Sequence, residues 1–400
     1  MLVYPFVALI LAVVLMPLCI RLARRYGLFD YPDTLRKVHE GNVPVTGGYS
    51  IILAFALTLA AIWLIEGISV FFSERASYAL LYPYLAEATV IIVVLGVIDD
   101  LRELSYSQKF FFQFFAASLM ILGAIKSHLF PEVFSLEASG VLLSSVAMVV
   151  SLLWMVGTTN AINMIDGMDG LAGGTSLISA AALGIVAMLW GNPVLGAALF
   201  VLSGAILGFL LFNAPPARVF MGDGGSMFIG FTLSVSGWLL VDSAPATLTS
   251  LVVPIIVLGL PVSDTLLAFF RRIVRGTNPF SADLHHIHHM LRAKRGFSTK
   301  MTVAVLMSVS LLYAGAGIVV AISSTTVGFV VIGILIGLKF IFLHWLGYRE
   351  LIALGDGELH PVNVLPLNGN GLRKNGSNGH HAVRGNGKVA GSKGSVHLKP

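Results

Sequence analysis

NAINMIDGMDG, residues 160–170, sets Asn160, Asn163, Asp166 and Asp169 at three-residue intervals. Carboxylates and carboxamides are hard oxygen donors, the kind Mg²⁺ takes one or two at a time beside substrate phosphates. Similar polar knots recur along the chain. IDDL (98–101) ends an apolar run with adjacent Asp99 and Asp100, and Lys109 follows shortly after. FMGDGGS (220–226) frames Asp223 with Gly222, Gly224 and Gly225. Those glycines let backbone approach a ligand closely, and a helix starting there aims N–H groups at anionic oxygens. HHIHH (285–289), followed by Arg292, Lys294 and Arg295, suits phosphate and the ring of a sugar nucleotide.

Each knot has an ordinary reading as well. Asp99 and Asp100 fit a solvated helix end, Lys109 a surface lysine and Asp223 a helix cap. Together they point elsewhere. Aspartates gathered at a lipid surface repel one another unless a cation sits among them, so a divalent metal, Mg²⁺ or Mn²⁺, is expected. Asp99, Asp100, Asn163, Asp166, Asp169 and Asp223 are its candidate ligands. Zinc fits less well, because the histidines have no matching cysteines.

The elements that must hold these residues are membrane helices. The chain is 56% hydrophobic and 11% charged, with a mean hydropathy of +0.87; soluble domains are nearer ~45–50% apolar. Apolar stretches long enough to cross a bilayer recur near 2–20, 48–65, 79–98, 110–125, 141–157, 171–189, 194–212, 224–241, 248–270, 302–321 and 326–347. The expected fold is all-α and polytopic, with about 10–11 transmembrane helices. The first stretch lacks the basic start and small-residue cleavage site of a signal peptide and reads as a retained helix. Cys19 is the single cysteine, so no intramolecular disulfide can form.

Basic residues set the orientation. Arg21, Arg24, Arg25, Arg36 and Lys37 follow the first helix, and Arg271, Arg272, Arg275, Arg292, Lys294, Arg295 and Lys300 precede the tenth. By the positive-inside rule those loops are cytoplasmic, and the N-terminus lies outside. All the polar motifs then share the cytoplasmic face, and the pI of about 9.3 reflects orientation, not nucleic-acid binding. Asp264 lies two turns before Arg271, and a carboxylate there is either functional or paired with a neighbouring helix. Lys339, near the inner end of the last helix, is expected to snorkel. Residues 351–400, rich in Gly, Asn, Ser and Lys, read as a disordered cytoplasmic tail behind a 1–350 membrane domain.

PDTLRKVH with PVTGG, IDDL with its lysine, NAINMIDGMDGLAGG, FMGDGGS and DLHHIHHMLRAKRGFS, in that order, resemble the polyprenyl-phosphate N-acetylhexosamine-1-phosphate transferase family over roughly residues 1–350. The resemblance implies transfer of a sugar 1-phosphate from a UDP-sugar to a polyprenyl phosphate, with Mg²⁺ and release of UMP. It assigns the metal to Asp223 and Asn163 and stacking on uracil to Phe220. Asp99 and Asp100 fall beside the lipid phosphate, Lys109 on a phosphate, and Asp166 and Asp169 at the acidic positions of the third loop. His286, His288 and His289 match the HxHH signature of the bacterial branch using UDP-GlcNAc-like donors. Asn160 and Arg292 complete the expected substrate-binding set. The related muramoyl-pentapeptide transferases carry three consecutive histidines in another context. Gly224, where many relatives have Ala, and the extra His285 leave the donor sugar open.

The expected acceptor is undecaprenyl phosphate in a bacterial inner membrane, at the first membrane step of a cell-envelope glycan. The sequence is compatible with a homodimer. The competing class is a cation-coupled transporter of a nucleotide-sugar or lipid-linked sugar. It predicts paired midplane charges and inverted repeats, which the sequence does not display.

Overall fold

The computed structural model describes residues 3–30, 42–67, 76–127, 129, 136–245, 247–277 and 286–348. The tail and the PDTLRKVH segment, with Arg36 and Lys37, lie outside the described residues, as does His285. In lipid every backbone polar group needs an internal partner, and long apolar runs meet that need as helices. The helices are α1 (Val3–Tyr26), α2 (Gly47–Glu66), α3 (Ala76–Arg102), α4 (Tyr106–Lys126), α5 (Leu136–Ile165), α6 (Leu171–Leu189), α7 (Pro193–Asn213) and α8 (Gly222–Asp242). A 3₁₀ turn, Ser250–Val252, leads into α9 (Val253–Val257), α10 (Gly259–Val274), α11 (Ile287–Arg295), α12 (Thr299–Ile322) and α13 (Thr325–Trp345).

Among the described residues, 10 helices are long and apolar enough to cross a membrane, or up to 11 if one bent pair counts as a single span. The protein is therefore an all-α, multi-pass membrane protein. The bent pair corrects the expected helix at 248–270: Ser250–Val257 and Gly259–Val274 meet at 81°. A period-based reading follows apolar residues and cannot register the change of axis at Leu258.

α8 is the central helix, its middle almost wholly buried, whereas α13 buries hardly any of its residues. Gathered around α8 are α2, α3 and α5, and small residues bring them close, as is usual where lipid supplies no hydrophobic drive between helices. A methyl group at Gly48 would overlap the Cα of Gly225, and one at Gly96 would overlap the Cα of Gly224. Indole N–H groups tie α5 to α8 further along: Trp154 donates to the Ser234 carbonyl at 2.9 Å, and Trp238 to Ser151 Oγ at 3.1 Å.

The loops at one end of this bundle are stitched together by backbone. β1 (Phe29–Asp30) and β2 (Val43–Pro44) pair antiparallel, Phe29 opposite Pro44. The segment before α8 then adds to them. Phe220 N donates to the Pro44 carbonyl at 2.8 Å, while Gly47 N and Gly48 N donate to the carbonyls of Phe220 and Met221, each at 2.9 Å.

Gly48→Ala and Gly96→Ala are expected to lower the thermal midpoint in detergent, because the clashing atoms are backbone. Overpacking of this kind costs about 1–3 kcal/mol. Gly157→Ala, where nothing lies within 4 Å, should leave the midpoint unchanged. Equal effects at all three positions would contradict the close approach.

Candidate active site

Asp99 and Asp100 sit in the last turn of α3, but successive helical residues diverge by about 100°, and the two carboxylates do different things. Asp100 reaches across to the start of α8. Its Oδ1 accepts from Asp223 N at 2.7 Å, and its Oδ2 accepts from Gly224 N at 3.2 Å and from the Tyr49 hydroxyl at 2.5 Å. The first amides of a helix have no partner in their own helix. Met221, at the N-cap, makes no side-chain cap bond, so Asp100 serves as the cap from another helix. Expected among the catalytic acids, it is engaged in holding backbone.

Asp99, with its side chain fully buried, engages the following turn and Lys109 instead. Its Oδ1 accepts from Leu104 N at 2.8 Å, and its Oδ2 pairs with Lys109 Nζ. The turn between α3 and α4 brings these two together. Glu103 adopts φ 46° there, and Ser105 and Gln108 form a reciprocal capping box that starts α4. Lys109 Nζ also lies 3.4 Å from Asp223 Oδ2, so one ammonium bridges two carboxylates. Asp223 is the more open of them, its side chain 39% exposed.

Asn163, in the last turn of α5, completes this group. Its Nδ2 donates to Asp223 Oδ1 at 2.6 Å and to Ser226 Oγ at 2.8 Å. One turn earlier, Asn160 is occupied otherwise, donating to Gln113 Oε1 at 2.6 Å and to the Val156 carbonyl at 2.8 Å. Gln113 sits one turn beyond Lys109 on α4 and is buried. Asn160, expected to bind substrate, is thus the α5 half of a carboxamide pair beneath the site. A lone glutamine in FFFQFF (110–115) was the sequence signal for its partner.

The two acids of the third loop also divide. Asp169 Oδ2 accepts from Ala217 N at 2.9 Å, and Asn213 Oδ1 accepts from Gly170 N, also at 2.9 Å, so this loop is fastened to the one before α8. Gly170, at φ 75°, permits the turn into α6. Asp166 makes no such tie among the described residues. Its carboxyl is held well above the usual carboxylate range by burial, then by the negative charges of Asp223, Asp100 and Asp169.

The histidines approach from α11. His286 Nδ1 lies 2.9 Å from Asp264 Oδ2, and Ile287 N donates to Asp264 Oδ1 at 3.0 Å. Asp264 is thus paired, as one of its two sequence readings had it. His288 is buried, stacks parallel on His286 with ring centroids 5.8 Å apart, and makes no hydrogen bond through either ring nitrogen. Its Nε2 faces Gly167, where an added methyl would stand 3.2 Å away. Burial holds the His288 imidazolium pKa down to about 3, with the neighbouring His289 adding to the effect. His289 and Arg292 are half-buried on the same short helix, and Phe220 is half-buried in the segment before α8.

Asp99, Lys109, Asn163 and Asp223 therefore form one contact group, with Asp100 and Asn160 as its supports and Asp166 and Asp169 beside it. Tyr49 and Gln113 are additions that the motifs did not reveal. Among the described residues no three His, Cys, Asp or Glu side chains converge as a ready-made metal site. Mg²⁺ takes one or two protein oxygens plus substrate phosphates. Asp223 and the Asn163 carboxamide, whose Oδ1 makes no hydrogen bond among the described residues, are oxygens of that kind.

Known proteins are similar to this chain over most of its length. The family described as Glycosyl transferase family 4 matches residues 82–241, which run from α3 through α8. A Bacillus subtilis protein named a probable undecaprenyl-phosphate N-acetylglucosaminyl 1-phosphate transferase is 35% identical over 331 residues, covering 82% of this chain and 87% of that protein. The chain belongs to the polyprenyl-phosphate N-acetylhexosamine-1-phosphate transferase family. Another such transferase relative, the Escherichia coli K12 undecaprenyl-phosphate alpha-N-acetylglucosaminyl 1-phosphate transferase, is 30% identical over 311 residues, 74% of this chain and 78% of its own. A Salmonella typhi protein of the same name matches at 30% over 304 residues.

Two outcomes check the supports of this transferase site. Asp100→Ala leaves two helix-start amides without their partner and should cost about 0.5–2 kcal/mol, read as a lower thermal midpoint. His288 is held neutral, so its contribution to stability is present above the unfolded value of about 6.5 and is lost as pH falls toward its folded value. Below about pH 6.5 the midpoint of the native protein should therefore drop faster than that of His288→Phe. Parallel pH curves would show that His288 is not buried as a neutral ring.

Proposed function

We propose that this chain transfers N-acetylglucosamine 1-phosphate from UDP-N-acetylglucosamine to undecaprenyl phosphate, releasing UMP and forming undecaprenyl diphosphate-linked sugar. The observation that carries the reading is the Asp99–Lys109–Asp223–Asn163 group, gathered at one end of a membrane bundle in a chain of this family. A polar nucleotide-sugar and a lipid whose tail stays in the bilayer can meet at such an end. On the distribution of basic residues, that end is the cytoplasmic one. Membership in a transferase family favours this reading over the transporter, which would need access from both sides.

The reaction is a displacement at phosphorus, so positioning and neutralisation of charge supply most of the catalysis. An oxygen of the lipid phosphate attacks the sugar-bearing β-phosphorus. The bond from that phosphorus to the bridging oxygen breaks, and its electrons leave with UMP. A phosphate monoester has a second pKa near 6, so the attacking group is already largely a dianion at neutral pH. Asp99 need only take a residual proton or orient the nucleophile. Lys109, held between two carboxylates, is placed to turn its ammonium toward an incoming phosphate. Asp223 and Asn163 would hold Mg²⁺, which when bound neutralises the diphosphate and the departing UMP. Phe220 supplies an aromatic face for the uracil, and the α11 histidines with Arg292 serve the sugar phosphate.

Purified protein in detergent, given UDP-N-acetylglucosamine, undecaprenyl phosphate and Mg²⁺, should release UMP and yield a lipid product heavier by one HexNAc phosphate. Release should need both substrates and the metal. Asp223→Ala and Asp99→Asn should lower turnover by about 10²-fold or more while retaining the thermal midpoint. No UMP from the native protein with both substrates present would sink the assignment. Direct attack further predicts inversion at an isotopically labelled β-phosphorus; retention would instead require a covalent enzyme intermediate.

A further inference from the structure

Asp264 takes no part in the scheme above, yet it is 5% exposed and both of its oxygens are engaged. It lies on α10 just after the 81° bend. One turn past the bend it faces inward with Gly259, Leu260, Pro261, Ala268, Arg271 and Arg272, which form the buried side of that helix. The far end of α10 is anchored as well: Arg271 donates to the Tyr348 hydroxyl at 2.6 Å, and that hydroxyl donates to the Leu267 carbonyl at 3.0 Å. The carboxylate is thus carried between a bend and an anchored helix end.

Its two bonds set two things at once. Oδ1 accepts from Ile287 N, the first amide of α11, and so caps that helix where His286, the N-cap residue, makes no side-chain cap bond. Oδ2 lies against His286 Nδ1. A carboxylate only accepts, so the proton between them sits on Nδ1. The other ring nitrogen, Nε2, makes no hydrogen bond among the described residues. In the neutral ring it is an acceptor, suited to an N–H or O–H donor such as the acetamido or hydroxyl groups of a sugar.

We propose that Asp264 is a positioning residue for donor recognition: it fixes His286 as the Nδ1–H tautomer and holds α11 at the site, so that Nε2 accepts a hydrogen bond from the donor's amino sugar. The proposal rests on the transferase reading. Asp264→Asn keeps the shape and one acceptor for Ile287 N, but its amide donates to Nδ1, moving the ring proton to Nε2 and turning the acceptor into a donor.

The test measures UMP release by full-length protein in detergent, with UDP-N-acetylglucosamine and undecaprenyl phosphate varied in turn. For Asp264→Asn, the KM of the nucleotide-sugar should rise about tenfold, the loss of roughly one hydrogen bond, with the lipid KM and the thermal midpoint unchanged. His286→Gln should show the same donor-selective rise, and adding Asp264→Asn to it should change little further. That non-additivity is a signature a merely structural role would not produce. If Asp264→Asn does not fold, His286→Gln carries the test alone. An unchanged donor KM in either variant, or equal rises for both substrates, overturns the proposal. Failure of the native protein to release UMP would overturn the underlying reading instead.

Discussion

The amides of Asp223 and Gly224 open a helix that cannot satisfy them, and the carboxylate of Asp100 does so from another helix. Much of the site follows from that bond. It fixes the start of α8 against the end of α3, and so fixes where Asp223 projects. Asp99, the preceding residue on α3, is then turned toward Lys109, and Lys109 toward Asp223. Asn163 closes the group from α5. A charge-bearing acceptor on two helix-start amides is among the stronger polar contacts available, since ionised acceptors roughly double a neutral hydrogen bond. The same device recurs where Asp264 caps α11. Two helix starts at this end of the bundle are therefore held by carboxylates from elsewhere in the chain.

The helices were legible in the sequence, and so were the polar motifs that gather at one end of them. Apolar length alone places most spans, because lipid leaves the backbone few alternatives to a helix. But α1 and α5 run on to Tyr26 and Ile165, past the expected ends at 20 and 157, so that Asn160 and Asn163 are helical. A further exception, the bend at Leu258, leaves hydropathy untouched and alters only direction. Motif chemistry names Asp99, Lys109, Asn163 and Asp223, and the structure brings these four into contact. The motifs alone do not separate neighbours of like type. Asp99 differs from Asp100, and Asn163 from Asn160, only by which helix each faces, and that is set by packing.

What escaped the sequence shares a physical cause. Tyr49, Gln113 and the partner of Asp264 are joined to the site by bonds spanning 51, 47 and 22 residues. No local period or spacing encodes such contacts; they appear only when helix axes are placed. Gln113 left a trace, a single amide in an aromatic run. Tyr49, at the start of an apolar helix, reads as an interfacial aromatic until its hydroxyl is seen on Asp100.

The glycine contacts between α2, α3 and α8 bear on how such a chain can vary. Where side chains separate two helices, rotamers and compensating substitutions can take up a change. Where Gly48 meets Gly225 and Gly96 meets Gly224, main chain lies on main chain and nothing remains to trim. The spacing beneath Asp223 is thus as stiff as the helices themselves. The outward faces are the opposite case. Val14, Leu57, Val94, Leu153 and Ile334 look away from the protein, into a hydrocarbon that treats one aliphatic side chain much like another. Sequence drift in this fold has wide latitude at its perimeter and almost none at Gly48, Gly96 and Gly225, where an added methyl meets backbone.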